Sequence, residues 1–362
     1  MKANVLQRDL TKALSHTSRF VLSRAQLPIL LNVKLKASGS KLIIQATNLE
    51  MSYSAPIGAQ VEKEGEVAVN SRVLADLVSS LHTDKVSLSA KGESLKIQTS
   101  GVSASLSGLN TSDFPQIPSK VSKKENLPNK DFLDAIAATI FSCSTELGRP
   151  ALGGVLMIFD ETLSLVASDG FRLSKKSVNL KTKLNTKLII PKNALSEVLK
   201  IAGDTNKLGL DINEKEKQIL LALDDTVIAS RLVEGEYPPF EKIIPTSSSI
   251  SVSLGKDEFR DAIKTASVFA REAANVITLH IGEDSLKISA ESSRAGSQES
   301  VIPAKVDGPE LSIPYNYRFI EEFLNVVKGE SVVMKFNNTT SPGVFLDASD
   351  ENFLHLIMPV KN

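Results

Sequence analysis

The residues that could carry out catalysis are few and scattered along the chain. There are four histidines, His16, His82, His280 and His355, and a single cysteine, Cys143. The histidines lie too far apart to show metal-ligand spacing, and the sequence has no phosphate-binding glycine loop, nucleophile elbow or zinc-protease motif. We interpret the histidines as ordinary surface residues. The sequence therefore predicts a protein with no catalytic activity, no cofactor and no metal.

Two acidic pairs are the remaining candidates for metal ligands. Asp224 and Asp225 are adjacent, and Asp350 follows Asp347 by three residues. Both pairs fall in turns between predicted strands, where solvated carboxylates are expected. A hydrolase with a site between domains is a competing hypothesis, but no acid–base constellation supports it.

Length and composition predict a multidomain globular protein. At roughly 150 residues per domain, 362 residues correspond to two or three domains, and 42% hydrophobic residues suffice for buried cores. One cysteine excludes internal disulfides, and the polar start and lack of a long apolar run argue against a signal peptide or membrane span. We expect a cytoplasmic protein with no membrane partner.

The net charge is zero, but it is unevenly distributed. Residues 1–122 carry 14 Lys and Arg against 9 Asp and Glu, a net charge of +5. Residues 123–245 are balanced at 17 against 17, and residues 246–362 carry 11 against 16, a net charge of −5. A neutral chain alone does not indicate a nucleic-acid-binding protein.

An internal repeat of about 120 residues organises the chain. Its markers are a helix start, the end of an alternating strand and a strand-to-helix turn. They fall at 8–14, 130–136 and 258–263, at Asn48, Asp169 and Ser292, and at Asn70, Pro191 and Pro314. Because three independent markers keep the same period, we predict three related units.

Each unit has the pattern helix, strands, helix, strands. Helical spacing of Leu74, Leu77, Val78 and Leu81 is typical of an amphipathic helix, and period-two alternation elsewhere predicts antiparallel strands. Helix pairs packed on antiparallel sheets would bury both kinds of apolar face, which gives an α+β fold.

Proline- and serine-rich segments end the first two units. They cover residues 114–126 and 237–249 and share an aromatic–proline step. The predicted domains are therefore 1–122, 123–247 and 248–362.

Five motifs in order on this repeat resemble the bacterial DNA sliding clamp family, the beta subunit of DNA polymerase III. They are LPIL from Leu27, TNLEM from Thr47, SDGFRL from Ser168, YPPFEKIIP from Tyr237 and the terminal IMPVKN. The resemblance covers the whole chain. It implies three DNA-clamp domains and a head-to-tail homodimeric ring whose helices line the central hole.

The resemblance also implies a function. Such a ring is a processivity factor that encircles double-stranded DNA without sequence preference and performs no chemistry. The implied partners are the alpha subunit of DNA polymerase III, an ATP-driven clamp loader, and other polymerases and repair proteins with clamp-binding peptides. An interaction protein of the same fold acting away from DNA is the alternative.

Enclosure would let a neutral chain retain DNA through a few weak phosphate contacts. The resemblance implies that Arg24 and Arg149, in loops, contact DNA. Basic residues on or beside the predicted helices are candidates for the inner wall, although each can also be an ordinary solvated charge. They are Lys12, Arg19, Lys192, Lys200, Lys264 and Arg318.

Head-to-tail closure would bring the positively charged first third of one chain against the negatively charged last third of its partner. A chance imbalance of surface charge is the alternative. The resemblance implies interface residues on both sides. They are Leu74, Leu77, Ala104 and Leu106 in the first domain, and Val268, Phe269, Glu299 and Val301 in the third. Ala104 stands where the family often has a large apolar residue.

The resemblance further implies an apolar cleft for partner peptides that carry a glutamine and a terminal leucine or phenylalanine. Its residues are Leu152, Ser168, Gly170, Phe171, Arg172, Leu173, Pro238, Lys242, Ile243, Pro342, Leu356, Met358, Pro359 and Val360. Leu173 and Leu356 can also be plain core residues. Phe171 replaces a common histidine and Lys242 a usual arginine, so planar hydrogen bonding to a peptide is lost there.

Overall fold

The computed structural model describes residues 1–22, 24, 26–121, 125–180, 182 and 184–361. This part of the chain contains six α-helices, two in each predicted repeat. In chain order, α1 to α6 are Gln7–Thr17, Ser71–Ser79, Asn129–Ile140, Lys192–Ile201, Lys256–Ala270 and Tyr317–Val326.

The same residues contain 25 β-strands, and every strand pairing is antiparallel. Strands β1 to β9 are Lys2–Leu6, Asn32–Ser38, Lys41–Thr47, Met51–Lys63, Gly65–Asn70, Lys85–Lys91, Ser94–Gln98, Ser103–Leu109 and Glu125–Leu127. Strands β10 to β16 are Gly154–Phe159, Leu163–Ser168, Arg172–Val178, Thr186–Pro191, Leu208–Asn213, Gln218–Leu223 and Thr226–Arg231. Strands β17 to β25 are Ile250–Gly255, Val276–Ile281, Ser285–Ser292, Gly296–Pro303, Lys305–Asp307, Leu311–Asn316, Ser331–Phe336, Gly343–Asp347 and Phe353–Ile357. The predicted α+β class is confirmed.

The chain forms two compact units. Unit 1 contains residues 1–129 and 196–232, and unit 2 contains residues 130–195 and 233–362. In unit 1, one sheet has the strand order β1-β6-β7-β8-β5-β2-β3-β4-β16-β15-β14-β9. In unit 2, one sheet has the order β13-β10-β11-β12-β25-β24-β23-β17-β21 and a second has the order β20-β19-β18-β22.

These sheets explain where the two units divide. The pairing of β4 with β16 joins the first and middle repeats, and the pairing of β12 with β25 joins the middle and last repeats. Each half of the middle repeat therefore belongs to a different sheet. The domain boundaries at 122 and 247, which follow the sequence repeat, stay a prediction.

Apolar helix faces form the cores. In unit 1, Leu10 and Leu14 of α1 and Leu74 and Val78 of α2 are at most 1% exposed, and the two helices pack together. Burial of each such side chain contributes about 1.5–3 kcal/mol. Helix α2 begins where the Asn70 side chain accepts a hydrogen bond from the Val73 N–H at 3.1 Å. In unit 2, α5 packs against α6 in the same way.

Candidate functional site

The turn between β11 and β12 lies at the centre of the predicted partner cleft. The Phe171 and Arg172 N–H groups donate to Asp169 Oδ1 at 2.9 and 3.0 Å. The Gly170 N–H donates to Ser168 Oγ at 3.1 Å, and that hydroxyl donates to the Arg172 carbonyl at 2.7 Å. Gly170 has a φ of +92°, which glycine adopts without a steric cost. Local hydrogen bonds therefore define this turn.

Strand pairing places the C-terminal motif beside this turn. Leu173 of β12 is opposite Leu356 of β25, and the Met358 N–H donates to the Phe171 carbonyl at 2.8 Å. Leu173 and Leu356 are only 1% and 2% exposed. They belong to an apolar cluster that also contains Phe240. In the isolated chain both leucines are thus core residues that can only form a floor.

Other residues of the predicted set are exposed. Phe171 is 61% exposed and Ile243 is 48% exposed. The rest of the predicted set divides into exposed residues, half-buried residues and buried residues. Gly170, Pro238 and Lys242 are exposed, Pro342, Met358, Pro359 and Val360 are half-buried, and Leu152 and Ser168 are buried. The predicted set thus combines buried apolar residues with accessible ones such as Phe171 and Ile243, a mixture that suits an apolar anchor residue of a peptide.

Arg172 lies inside unit 2. Its Nε donates to Asp169 Oδ2 at 3.1 Å, its Nη2 donates to the Phe141 carbonyl at 2.9 Å, and its Nη1 donates to Glu322. The guanidinium also lies 4.4 Å from the centre of the Phe319 ring. These contacts engage all three nitrogens, so Arg172 positions the turn. Sequence reasoning missed Phe141, Phe319 and Glu322, because no local pattern links them to the turn.

Phe240 is the other residue that sequence reasoning missed. It is 6% exposed and packs in the same cluster as Leu173 and Leu356. The signal was present, since Phe240 is one of the two aromatic residues in the motif YPPFEKIIP.

Arg149 lies next to the turn. A Cβ atom added at Gly170 would be 3.4 Å from Arg149 Nη1. Arg149 is exposed, and its carbonyl accepts a hydrogen bond from the buried Leu152 at 3.0 Å. The predicted DNA-contacting arginine and the predicted peptide cleft are therefore neighbours in unit 2.

Basic residues of unit 1 gather around one buried carboxylate. Arg19 Nη1 and Lys200 Nζ lie 2.9 and 2.8 Å from the Glu197 oxygens. Burial lowers the pKa of His16, and the positive charges of Arg19 and Lys12 lower it further. Nearby cations thus create a positive local field beside α1, although Glu197 neutralises part of it.

The other predicted DNA-contacting residues are accessible. Lys192 is half-buried at the first position of α4, and the others are exposed. The exposed residues are Arg24 in its loop, Lys12 on α1, Lys264 on α5 and Arg318 on α6.

Strand β8 of unit 1 has an incomplete edge. It pairs along Ser103–Ser107 with β7, but on its other side it pairs with β5 only at Gly108 and Leu109. Ala104 and Leu106 are half-buried, and the serines between them are exposed. Among the described residues, the backbone of 103–107 therefore has no strand on one side.

Strand β20 of unit 2 is an edge strand, because β19 is its one neighbour among the described strands. Glu299 is exposed, and Val301 is 64% exposed. Helix α5 packs against β20 and carries Val268, which is 60% exposed, and the half-buried Phe269. Val268 and Val301 therefore leave apolar surface exposed at this edge, which is typical of an interaction surface.

The prediction that Leu74 contributes to the interface is wrong. Its side chain is completely buried among the apolar residues of unit 1, so it has no surface to offer a partner. The helical pattern placed Leu74 on the apolar face of α2, but it could not show whether that position packs in the core or against a partner. Leu77, one turn later, is half-buried and keeps some accessible surface.

The expectation that all four histidines lie at the surface is wrong for His355. It is fully buried and its ring stacks 5.5 Å from that of Phe323. Its Nδ1 lies 2.8 Å from Ser174 Oγ, which in turn lies 2.8 Å from Ser142 Oγ. Burial lowers the His355 pKa to about 3, with a further contribution from the Arg172 charge. Burial also raises the pKa of the Cys143 thiol, to about 12.

The expectation of solvated carboxylates is wrong for Asp347, which is 4% exposed. It accepts hydrogen bonds from the backbone of Lys328 and Gly329 and from the backbone and hydroxyl of Ser349. Burial alone would raise its pKa, but these hydrogen bonds outweigh burial and the pKa is lowered. Asp224 and Asp225 are exposed, as expected.

The described residues contain no group of three or more His, Cys, Asp or Glu side chains that could hold a metal ion. No helix in that same part of the chain is long and apolar enough to span a membrane.

Comparisons with known proteins cover the whole chain. Family models described as the N-terminal, central and C-terminal domains of the DNA polymerase III beta subunit match residues 1–118, 126–239 and 241–361. Proteins named "Beta sliding clamp" from Staphylococcus epidermidis and Staphylococcus aureus are each 31% identical over 363 residues, which is 96% of this chain and 96% of theirs.

Solved structures agree in fold. A DNA polymerase sliding clamp from Bacillus subtilis superposes with a TM-score of 0.95 at 26% identity, over 100% of this chain and 99% of that one. The beta subunit of DNA polymerase III from Pseudomonas aeruginosa superposes with a TM-score of 0.93 at 23% identity, over 100% of both chains.

Proposed function

The chain belongs to the DNA polymerase III beta-subunit family of bacterial sliding clamps, and we propose that two copies join head to tail into a ring around duplex DNA. As a member of this family it is a processivity factor for DNA polymerase and a non-catalytic subunit. It acts where chromosomal DNA is replicated, in the cytoplasm.

Two incomplete sheet edges carry the proposal of ring closure. Residues 103–107 of β8 and the outer side of β20 each lack a strand neighbour among the described residues. Pairing β8 of one protomer with β20 of its partner would give hydrogen-bond partners to the unpaired N–H and C=O groups of both strands. It would also protect both edges from aggregation.

Side chains around these edges support the same arrangement. Ala104, Leu106 and Leu77 supply partly accessible apolar surface on one side, and Val301 and Val268 supply it on the other. The first third of the sequence has a net charge of +5 and the last third of −5, so the two sides also attract each other. Each head-to-tail contact would be heterologous, and two of them close the ring.

DNA is held by enclosure, assisted by weak contacts with phosphates. Lys12, Lys192 and Lys200 would face the duplex from helices, and Arg24 and Arg149 would contact it from loops. Few contacts that are sensitive to salt allow sliding, because no base is read and no phosphate is held tightly.

Partner proteins dock at the cleft around the Asp169 turn. A peptide leucine or phenylalanine would lie over the floor formed by Leu173, Leu356 and Phe240, between the exposed Phe171 and Ile243. The proposed partners are the alpha subunit of DNA polymerase III, the clamp loader, and other polymerases and repair proteins with such peptides.

Retention on circular DNA tests the function. After loading onto a nicked circle by a clamp loader, the protein should co-elute with the circle in gel filtration and should be released when a restriction enzyme linearises it. In the same buffer, sedimentation should give twice the 39.0 kDa chain mass. A dimer that stays bound after linearisation, or a monomer, would contradict the ring.

A further inference from the structure

The turn between β3 and β4 in unit 1 reproduces the turn of the partner cleft bond for bond. The Glu50 and Met51 N–H groups donate to Asn48 Oδ1 at 3.0 and 2.7 Å, as two successive N–H groups do to Asp169 in unit 2. The Leu49 N–H donates to Thr47 Oγ1 at 3.0 Å, and that hydroxyl donates to the Met51 carbonyl at 2.8 Å. The equivalence follows the sequence repeat, in which Asn48 and Asp169 share one position.

The neighbouring strands are equivalent as well. The Arg231 N–H donates to the Glu50 carbonyl at 2.9 Å, as the Met358 N–H does to the Phe171 carbonyl. Ser52 is opposite Ala229 in the same register in which Leu173 is opposite Leu356. Unit 1 therefore contains the backbone of a second cleft, with different side chains.

A cavity of about 180 Å³ opens beside this second turn. Met51 and Ala229 are buried at its wall, and the half-buried Pro115 and Ile117 also line it. Leu49 lines the cavity too, is 47% exposed, and has a φ of +75°. A leucine rarely adopts this conformation, and its equivalent in unit 2 is Gly170. The chain thus presents an apolar side chain to solvent at a position where glycine would be easier to accommodate.

The rim of the cavity is charged where the unit 2 cleft is apolar. Glu50 takes the place of Phe171, and Arg231 takes the place of Met358. Glu216 also lines the cavity. Both carboxylates are exposed, and neither forms an ion pair within the described part of the chain. Two carboxylates against one guanidinium favour a cationic ligand.

We infer that the cavity beside Leu49 is a second docking cleft, which binds a linear peptide segment carrying an aliphatic side chain flanked by lysine or arginine. The volume is below that of a site for a drug-sized molecule and fits one side chain. The aliphatic group packs on Leu49, Met51 and Ile117, and the flanking cations approach Glu50 and Glu216. The inference rests on the proposed role of the Asp169 turn as a partner cleft.

The test uses the full-length protein with isotope-labelled leucine methyl groups. The probe is the blocked peptide Gly-Lys-Leu-Lys-Gly, and the control is Gly-Glu-Leu-Glu-Gly. The lysine peptide should shift the Leu49 methyl resonance saturably, and the glutamate peptide should not. The Leu49 resonance is identified by its loss in the Leu49→Gly variant.

Two variants assign the effect to this cleft. Leu49→Gly should retain or increase the melting temperature, because glycine tolerates the positive φ. It lacks the Leu49 resonance, so its lysine-peptide affinity is measured by calorimetric titration, as for the other variants, and should fall at least about threefold. The double variant Glu50→Gln, Glu216→Gln should weaken it about fivefold, as expected for two exposed ion pairs. The matched control Glu93→Gln, at an exposed turn residue outside the cavity, should leave binding unchanged.

A glutamine–leucine–phenylalanine peptide is titrated in parallel to separate the two proposals. If it binds while the lysine peptide gives no Leu49 shift, the second cleft is wrong and the Asp169 cleft stands. Lysine-peptide binding that none of the variants affects also overturns the inference. If neither peptide binds, both proposals fail.

Discussion

The Arg172 guanidinium stabilises the turn that carries the proposed partner cleft from inside the protein. It is 8% exposed and connects the Asp169 turn to Glu322 of α6 and to the Phe141 carbonyl. Sequence resemblance selected Arg172 as a peptide contact, whereas its geometry makes it a positioning residue for the turn that carries Phe171. Lysine has the same charge, but it has one nitrogen in place of the three planar guanidinium nitrogens and cannot replace all three hydrogen bonds.

Arg172→Lys should therefore destabilise the protein and loosen the turn. We expect a loss of about 2 kcal/mol in the free energy of unfolding, because two buried hydrogen bonds are lost. Affinity for the glutamine–leucine–phenylalanine peptide should fall although Arg172 does not contact it. Urea unfolding and calorimetric titration measure the two effects, and Arg72→Lys, at an exposed position on α2, is the control. Unchanged stability in Arg172→Lys would contradict the positioning role.

His355 should make stability depend on pH. The unfolded chain binds a proton at His355 below its ordinary pKa of 6.5, whereas the folded chain does so only near 3. Between these values the unfolded state holds more protons, so stability is complete above pH 6.5 and falls as the pH decreases. The loss is about 1.4 kcal/mol per pH unit, or about 2 kcal/mol at pH 5.

The variant His355→Phe removes this proton-binding site while keeping an aromatic ring beside Phe323. Ser174 retains its hydrogen bond to Ser142. Urea unfolding at about pH 7.5 and about pH 5 should show a smaller difference for the variant than for the unmodified protein. An identical difference would mean that His355 is protonated in the folded state. His16 and His280, whose pKa values are also lowered, account for a residual effect.

At the scale of elements, the edge strands matter most. Within the described part of the chain, β20 pairs with β19 on one side, and β8 between residues 103 and 107 pairs only with β7. Soluble proteins usually shield such edges with charges, bulges or prolines. Here the exposed serines of β8 carry no charge, and β20 carries one charged residue, Glu299, two positions from the exposed Val301. Both edges are therefore lightly shielded, which suits pairing between protomers.

Val301→Lys should weaken the dimer without unfolding the protomer. Val301 is already 64% exposed in the chain, but the proposed interface would bury it, and burial of an unpaired lysine is costly. We expect the dimer dissociation constant to rise about tenfold or more. Leu147→Lys, at a residue that is 96% exposed, is the matched control. Sedimentation of a concentration series measures both, and an unchanged dissociation constant for Val301→Lys would exclude this edge from the interface.

At the scale of the whole molecule, zero net charge and the separation of charge along the sequence have different consequences. Zero net charge limits non-specific attraction to DNA, which favours sliding once the duplex is enclosed. In the proposed ring, the +5 and −5 thirds meet at each contact and would promote association of protomers rather than binding to nucleic acid. Weak DNA affinity is therefore compatible with the function of a ring and would not be compatible with that of a sequence-specific repressor.

Binding of the protein to short linear duplexes should be weak, independent of sequence and steeply dependent on salt. Arg24→Ala together with Arg149→Ala should reduce the slope of log affinity against log salt by about 2 to 4, since two arginines in each of two protomers each release about 0.9 counterion equivalents. Fluorescence anisotropy between about 50 and about 300 mM salt measures this slope. Lys91→Ala, an exposed lysine at the end of β6, should leave the slope unchanged.

The sequence by itself determined the repeat, the α+β class and the position of the Asn48 and Asp169 turns, because these depend on periodicity and side chains close in sequence. The tertiary structure decided how the middle repeat is divided between two sheets, since strand neighbours such as β12 and β25 are about 180 residues apart. It also decided that Leu74, His355 and Asp347 are buried. Burial depends on which distant elements pack over a residue, and no local pattern encodes that packing.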